Sequence, residues 1–230
     1  LICESVIVKK IFIYLLIGIM SNSSFSNQDS ALRVAVFCSA DNKVASHLKT
    51  MSYNLGNLLA KAKFGLVTGG SKTGLMKEVV DGYHESAQTL SNLHGVIPQA
   101  LFDYNIHHPS IPCRNIQWVD TLHVRLKVFH ELSDAVIVLP GGFGTLHELM
   151  DFLANNQFAL SKTPVILVND NHYWDPLLEQ FSTMQKASLL AEQHLNFIKV
   201  VNTPQECMDI LDCGEIAFDE HGLKTLYWEE

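Results

Sequence analysis

The sequence predicts a single α/β domain: a doubly wound, Rossmann-like parallel sheet with helices on both faces. Three observations lead to it. From Arg33 onward, short apolar runs alternate with helix-length amphipathic stretches. Several of these runs are continuous Val, Ile and Leu without a polar face, which means burial on both sides and therefore a parallel sheet covered by helices. No repeat, low-complexity linker or shift in composition after residue 33 marks a second domain.

The elements follow in order. Residues 34–38 read as a buried strand. Residues 43–62 carry Val44, Leu48, Met51, Leu55, Leu58 and Leu59 at helical spacing. A second strand, 65–68, ends at Gly69 and Gly70, and a helix is expected over 73–90. Gly95, Val96, Ile97 and Pro98 make a third strand, and 116–119 a weaker fourth. Asp120 is the expected N-cap of a helix reaching residue 132, with Leu122, Leu126 and Phe129 on one face. Residues 135–139 are the cleanest strand, and a helix is expected over 145–160. A strand at 165–168, a helix over 174–190, a strand at 197–200 and a helix over 204–211 complete the series.

The bulk properties bound the function. With 230 residues, 47% of them hydrophobic, the chain buries a sizeable core. A formal net charge of −8 disfavours a nucleic acid polymer as partner. A small nucleotide is still allowed, because backbone N–H groups bind phosphate without a basic face. The five cysteines (Cys3, Cys38, Cys113, Cys207 and Cys213) are odd in number and lack CxxC spacing. That argues against a disulfide framework or a zinc knuckle, and for reduced thiols in the cytoplasm. The histidines show no metal spacing, so neither a catalytic metal nor any cofactor is expected.

Residues 1–32 are expected to be an N-terminal extension and 33–230 the nucleotide-binding domain. Lys9 and Lys10 before an apolar stretch over 11–19, followed by serines, have the layout of a signal peptide. The stretch is short for a membrane span. Met20 opens a polar segment, so the favoured expectation is that residues 1–19 are an upstream misreading of the start. A signal or anchor is the alternative.

The strongest chemical signal is Leu139-Pro140-Gly141-Gly142-Phe143-Gly144-Thr145, with Glu148 one turn later. A buried strand running through glycines into a helix start gathers free N–H donors and the positive dipole end, an anion cradle. Thr145 is a candidate cap, and Thr145 with Glu148 also fits a capping box, the bland alternative for that carboxylate. A second turn contains Gly69, Gly70, Ser71, Lys72, Thr73 and Gly74. It lacks the P-loop order, which excludes ATPase chemistry of that type. Together the two turns could frame one nucleotide. Arg125 lies beside an apolar stripe, either snorkelling at its edge or reaching a ligand, and His123 is a candidate at the ligand rim.

Taken together, these segments resemble the LONELY GUY family of cytokinin riboside 5′-monophosphate phosphoribohydrolases, formerly labelled lysine decarboxylase-like. Pro140, Gly141, Gly142, Gly144, Thr145 and Glu148 meet the family pattern P-G-G-x-G-T-x-x-E. His123 and Arg125 match its M-H-x-R-K helix, with Leu126 in place of the lysine. Gly69, Gly70, Gly74, Leu75 and Met76 match a further turn, with Ser71 replacing a glycine. Asp41 stands where the family has a small residue. The resemblance covers about residues 33–212. It implies hydrolysis of the N-glycosidic bond of AMP or an N6-substituted AMP to free base and ribose 5-phosphate. It implies Arg125 and Glu148 as the catalytic pair. It further implies that Gly69, Gly70, Gly74, His123, Gly141, Gly142, Gly144 and Thr145 contact substrate, and that the protein is a homodimer or larger. The substitutions at Leu126 and Asp41 leave open a nucleotide-binding or sensor protein without catalysis on the same fold. A decarboxylase would need a well-placed cofactor lysine, and the sequence offers none.

Overall fold

The computed structural model describes residues 32–213. The expected N-terminal extension lies outside them but for residue 32, and so does the chain beyond 213. Seven strands form one sheet: β1 (Arg33–Phe37), β2 (Gly65–Thr68), β3 (Leu93–Pro98), β4 (Ile116–Val119), β5 (Ala135–Val138), β6 (Val165–Val168) and β7 (Ile198–Val201). Their spatial order is β4-β3-β2-β1-β5-β6-β7, and every pairing is parallel. Among the described residues, five helices connect the strands, α1 (Ser46–Lys61), α2 (Gly74–Ser86), α3 (Leu122–Leu132), α4 (Phe143–Gln157) and α5 (Asp175–Lys186), 3₁₀ segments join β3 to β4, and α6 (Pro204–Cys213) follows β7.

The strand pattern explains the two layers of helices. Along β1, side chains alternate between faces. Val34, Val36 and Cys38 pack with Met51 and Leu55 of α1, Leu75 and Val79 of α2, and Met208 of α6. Ala35 and Phe37 pack with Val128 and Phe129 of α3 and with Leu149 and Phe152 of α4. Phe37 contacts Phe129 edge-on at 5.0 Å and Phe152 at 5.5 Å, so the central strand ties α3 to α4. That places one helix carrying a conspicuous arginine against one carrying a conspicuous glutamate.

The chain winds outward from β1 through β2, β3 and β4, then returns through α3 to lay β5 on the other side of β1. The register pairs Val34 with Ala135 and Val36 with Ile137. The Arg33 N–H donates to the Asp134 carboxylate at 2.7 Å and fixes that return. Strand order reverses between β1 and β5, and the crevice beyond their carboxyl ends is where open parallel sheets bind ligands.

Several expected boundaries move. α3 is capped by Thr121, whose Oγ1 accepts the Val124 N–H at 3.2 Å, and not by Asp120. α2 stops at Ser86 and α5 at Lys186, short of the expected 90 and 190. Beyond the latter stretch, a 3₁₀ segment, Glu192–Phe197, leads into β7. No helix among the described residues is long and apolar enough to cross a membrane. Cys38, Cys113 and Cys207 are free thiols.

Candidate active site

At the switch point, the loops after β1 and β5 meet: the Ser39 N–H donates to the Pro140 carbonyl at 3.3 Å. α4 begins at Phe143 with Gly142 as its N-cap, and the Leu146 N–H closes the first turn on the Gly142 carbonyl at 3.0 Å. Thr145 is therefore inside the first turn and does not cap it. It is buried, and a Cβ built on Gly141 would lie 2.1 Å from its hydroxyl oxygen, so the glycine is needed for this packing. The capping-box alternative for Glu148 fails for the same reason, since the helix starts two residues before Thr145.

The outer side of this turn is open. A Cβ built on Gly142 or Gly144 would meet nothing within 4 Å, and Phe143 is 92% exposed. No side chain caps α4. The first N–H groups of a helix have no intrahelical partner and sit at the positive dipole end. The geometry is that of an anion cradle. Beside it lies a cavity of about 260 Å³ whose lining includes Ser39, Asp41, Lys43, Pro140, Gly141 and Tyr173.

The second glycine turn is built differently. Gly70 and Gly74 have φ of 74° and 62°, a region that glycine enters without penalty. The N–H donors at the start of α2 are already occupied: Gly74 donates to Asn42 Oδ1 at 2.9 Å and Leu75 to the Ser39 carbonyl at 2.8 Å. This helix end anchors the loop after β1. The Gly70 carbonyl accepts the His108 N–H at 2.8 Å, which ties the turn to the segment after β3. Asp41 folds onto its own loop, its Oδ1 accepting the Lys43 N–H at 2.8 Å.

Arg125 and Glu148 come together. The Arg125 Nη1 donates to Glu148 Oε1 at 2.6 Å, and its Nε donates to the Val96 carbonyl, near the end of β3, at 3.0 Å. Its guanidinium carbon lies 4.9 Å from the centre of the Phe129 ring, within cation–π range. The side chains are 13% and 2% exposed, so this arginine does not snorkel. Burial raises the Glu148 carboxyl above its ordinary value, while the charge and hydrogen bond of Arg125 oppose that rise. Burial also raises the Cys38 thiol, with a further push from the Glu148 charge, so Cys38 stays protonated.

His123 does not join this pair. It is exposed and lines a separate cleft of about 400 Å³ between α3 and α4, with Leu126, Lys127, His130 and Asp151. There His130 Nε2 lies 2.8 Å from Asp151 Oδ2, and its ring stacks on Phe152 at 3.8 Å. Leu126 is 6% exposed and belongs to this cleft. Among the described residues, no group of three or more His, Cys, Asp or Glu side chains could hold a metal ion.

Sequence reasoning missed the residues opposite the first turn. Lys43 comes from the loop after β1 and Tyr173 from the loop after β6. The Tyr173 hydroxyl donates to the Gly141 carbonyl at 2.7 Å. A lysine shortly after a strand end was a usable signal. Tyr173 had none, because its position depends on left-handed backbone at Asn171 and His172, neither of them glycine.

The sequence family described as "Possible lysine decarboxylase" matches residues 76–211. A cytokinin riboside 5′-monophosphate phosphoribohydrolase of Arabidopsis thaliana is 29% identical over 86% of this chain and 88% of its own. The enzyme of that name from Rhodococcoides fascians is 33% identical over 63% of this chain and 71% of its own. Among solved structures, the molybdenum cofactor carrier protein of Chlamydomonas reinhardtii superposes with a TM-score of 0.57. It is 20% identical and covers 80% of this chain and 97% of that one, a likeness of fold.

Proposed function

Because the chain belongs to the LONELY GUY family of cytokinin riboside 5′-monophosphate phosphoribohydrolases, we propose that it cleaves the N-glycosidic bond of a nucleoside 5′-monophosphate. The substrate is AMP or an N6-substituted AMP, and the products are free base and ribose 5-phosphate. The observation that carries the reading is the Arg125–Glu148 pair, 2.6 Å apart and largely buried, on helices that flank the switch-point crevice. The named relatives favour hydrolysis over the decarboxylation in the family's older description. We take the protein to act in the cytoplasm as a homodimer or larger homo-oligomer, in keeping with the family resemblance.

The chemistry follows from the spacing on α4. Thr145 and Glu148 are three residues apart and share a face. A phosphate on the Gly142–Thr145 N–H groups and the Glu148 carboxylate are then separated by about one helical turn, ~5.4 Å, the scale of a ribose. Scission of the C1′–N bond leaves its electron pair on the base and builds positive charge on the sugar. A carboxylate held in a dry pocket stabilises that charge far better than water does. Glu148 also takes a proton from the attacking water, whose oxygen bonds to C1′, and that proton passes to the departing base, so one water is divided between sugar and base. Arg125 opposes the rise that burial imposes on the Glu148 carboxyl and fixes it in place, while its bond to the Val96 carbonyl holds Arg125 itself. Gly69 borders the arginine head group.

The test is base release from AMP, GMP and N6-isopentenyl-AMP by purified protein without added metal. The expected result is adenine or the substituted adenine in step with ribose 5-phosphate. Absence of base from every monophosphate overturns the reading, and nucleotide binding without turnover would identify a carrier or sensor.

A further inference from the structure

The glycine turn has a weakness that its sequence does not resolve. A Gly-Gly peptide rotates easily, and one orientation presents a carbonyl oxygen to an incoming phosphate, while the other presents an N–H. In a planar trans peptide, the carbonyl of one residue and the N–H of the next point in opposite directions. Whatever holds the Gly141 carbonyl therefore also aims the Gly142 N–H. That carbonyl accepts the Tyr173 hydroxyl at 2.7 Å, and Tyr173 lines the same cavity as Gly141 and Gly142.

The loop that delivers Tyr173 is built for placement. Asn169 binds it three times: its N–H donates to the Val201 carbonyl at 2.7 Å, its Oδ1 accepts the Trp174 N–H at 2.7 Å, and its Nδ2 donates to Asp175 Oδ1 at 2.7 Å. Asp170 pairs with His47 of α1 at 3.1 Å. Trp174 is buried in the core beneath, and its ring meets that of Tyr173 edge-on at 4.8 Å. Asn171 and His172 are both held left-handed, at φ of 48° and 61°, a strain that persists only where surrounding structure imposes it.

We propose that Tyr173 is a positioning residue for phosphate binding: its hydroxyl locks the Gly141–Gly142 peptide with the carbonyl turned away and the N–H free for the 5′-phosphate. The inference rests on the reading of this turn as the phosphate site. It distinguishes Tyr173 from Arg125 and Glu148, since Tyr173 acts on binding through the backbone and not on bond cleavage.

The test is Tyr173→Phe in the full chain, which removes only the hydroxyl. Loss of one such hydrogen bond predicts a KM for the monophosphate raised about 5–10-fold, with a much smaller change in kcat. Hydrolysis of the unphosphorylated nucleoside should shift far less, and calorimetric affinity for ribose 5-phosphate should weaken by the same factor as KM. An unchanged KM, or equal losses on nucleotide and nucleoside, overturns the proposal. If the wild type turns over no nucleotide yet binds ribose 5-phosphate more tightly than the variant, the assigned reaction fails and this inference stands. If neither protein binds it, both fail.

Discussion

Arg125 occupies the space that a side chain on Gly69 would need: a Cβ built there would lie 2.5 Å from the arginine's Nη2 and 2.9 Å from the Met76 sulfur. The methionine is flexible and can yield. The arginine is held by Val96 and Glu148 together and cannot move without breaking a hydrogen bond.

Gly69→Ala should therefore act at a distance on the carboxylate. Displacing catalytic groups by about an ångström costs on the order of 10²-fold in rate. The variant is expected to lose roughly that much kcat, with a near-native circular dichroism spectrum. Full activity would mean that the Arg125 head group is not held as described.

Glu148→Gln and Arg125→Ala should separate catalysis from stability. The glutamine keeps a hydrogen-bond acceptor for Arg125 but loses the charge, so kcat should fall about 10²–10⁴-fold, with a smaller fall in Tm than Arg125→Ala gives. Removing the arginine strands a buried carboxylate, which costs about 3–5 kcal/mol and should lower Tm markedly as well. Because burial raises the Glu148 carboxyl, the acid limb of the rate profile should have its midpoint above the ordinary 4.5. Initial rates against pH, with thermal melts of both variants, check this.

Lys43 lines the cavity beside the glycine turn, and its own N–H is held by Asp41. Lys43→Ala should raise KM for the monophosphate about 3–10-fold, as loss of a charge-assisted contact does. The difference from wild type should shrink as salt rises, since screening weakens exposed charges. A KM that does not respond to the substitution at low salt would exclude the contact.

His108 supplies a pH dependence of stability. Its Nδ1 accepts the Ser110 N–H at 3.2 Å, so the ring proton is on Nε2, which faces Asp81 at 3.1 Å. Burial lowers its pKa, more than Asp81 restores, and Lys77 and His84 add to the lowering. The folded state therefore binds protons less readily than the unfolded chain. This contribution is fully present above the ordinary 6.5 and is lost as pH falls towards the folded value. Tm should drop as pH falls below 6.5 towards the folded value, and His108→Gln should flatten that slope. His94, also lowered by burial, adds in the same direction.

Much of this was readable in advance. β5 and β6 appear where continuous Val, Ile and Leu runs stand, because a strand buried on both faces needs little else, whereas the edge strands β4 and β7 are interrupted by Gln117, Trp118 and Lys199 and partly exposed. The glycine turn and Glu148 were visible as a pattern. Their relation to Arg125 was not, since it depends on Phe37 fastening α3 to α4. The start of α4 was misplaced because Thr145 looks like a cap, whereas the turn uses Gly142 and buries the threonine. The sequence let both glycine turns frame one nucleotide. Only tertiary structure distinguishes the α2 end, filled by Ser39 and Asn42, from the open end of α4. Leu126 was expected on the apolar face of α3 and is buried there, and its cleft has a lining separate from that of the glycine-turn cavity.

The return of the chain from α3 to β5 bears on how the protein comes into being. β1 is the central strand, yet one of its two neighbours begins about a hundred residues later, at Ala135. During synthesis from the N-terminus, the edge of β1 that will face β5 has no partner until that stretch has emerged. Such long-range parallel pairing is slow and leaves sheet edges exposed meanwhile. Arg125 is made before this closure and Glu148 after it. A chain cut between α3 and β5 would hold the arginine without its carboxylate, and β1 with one edge bare.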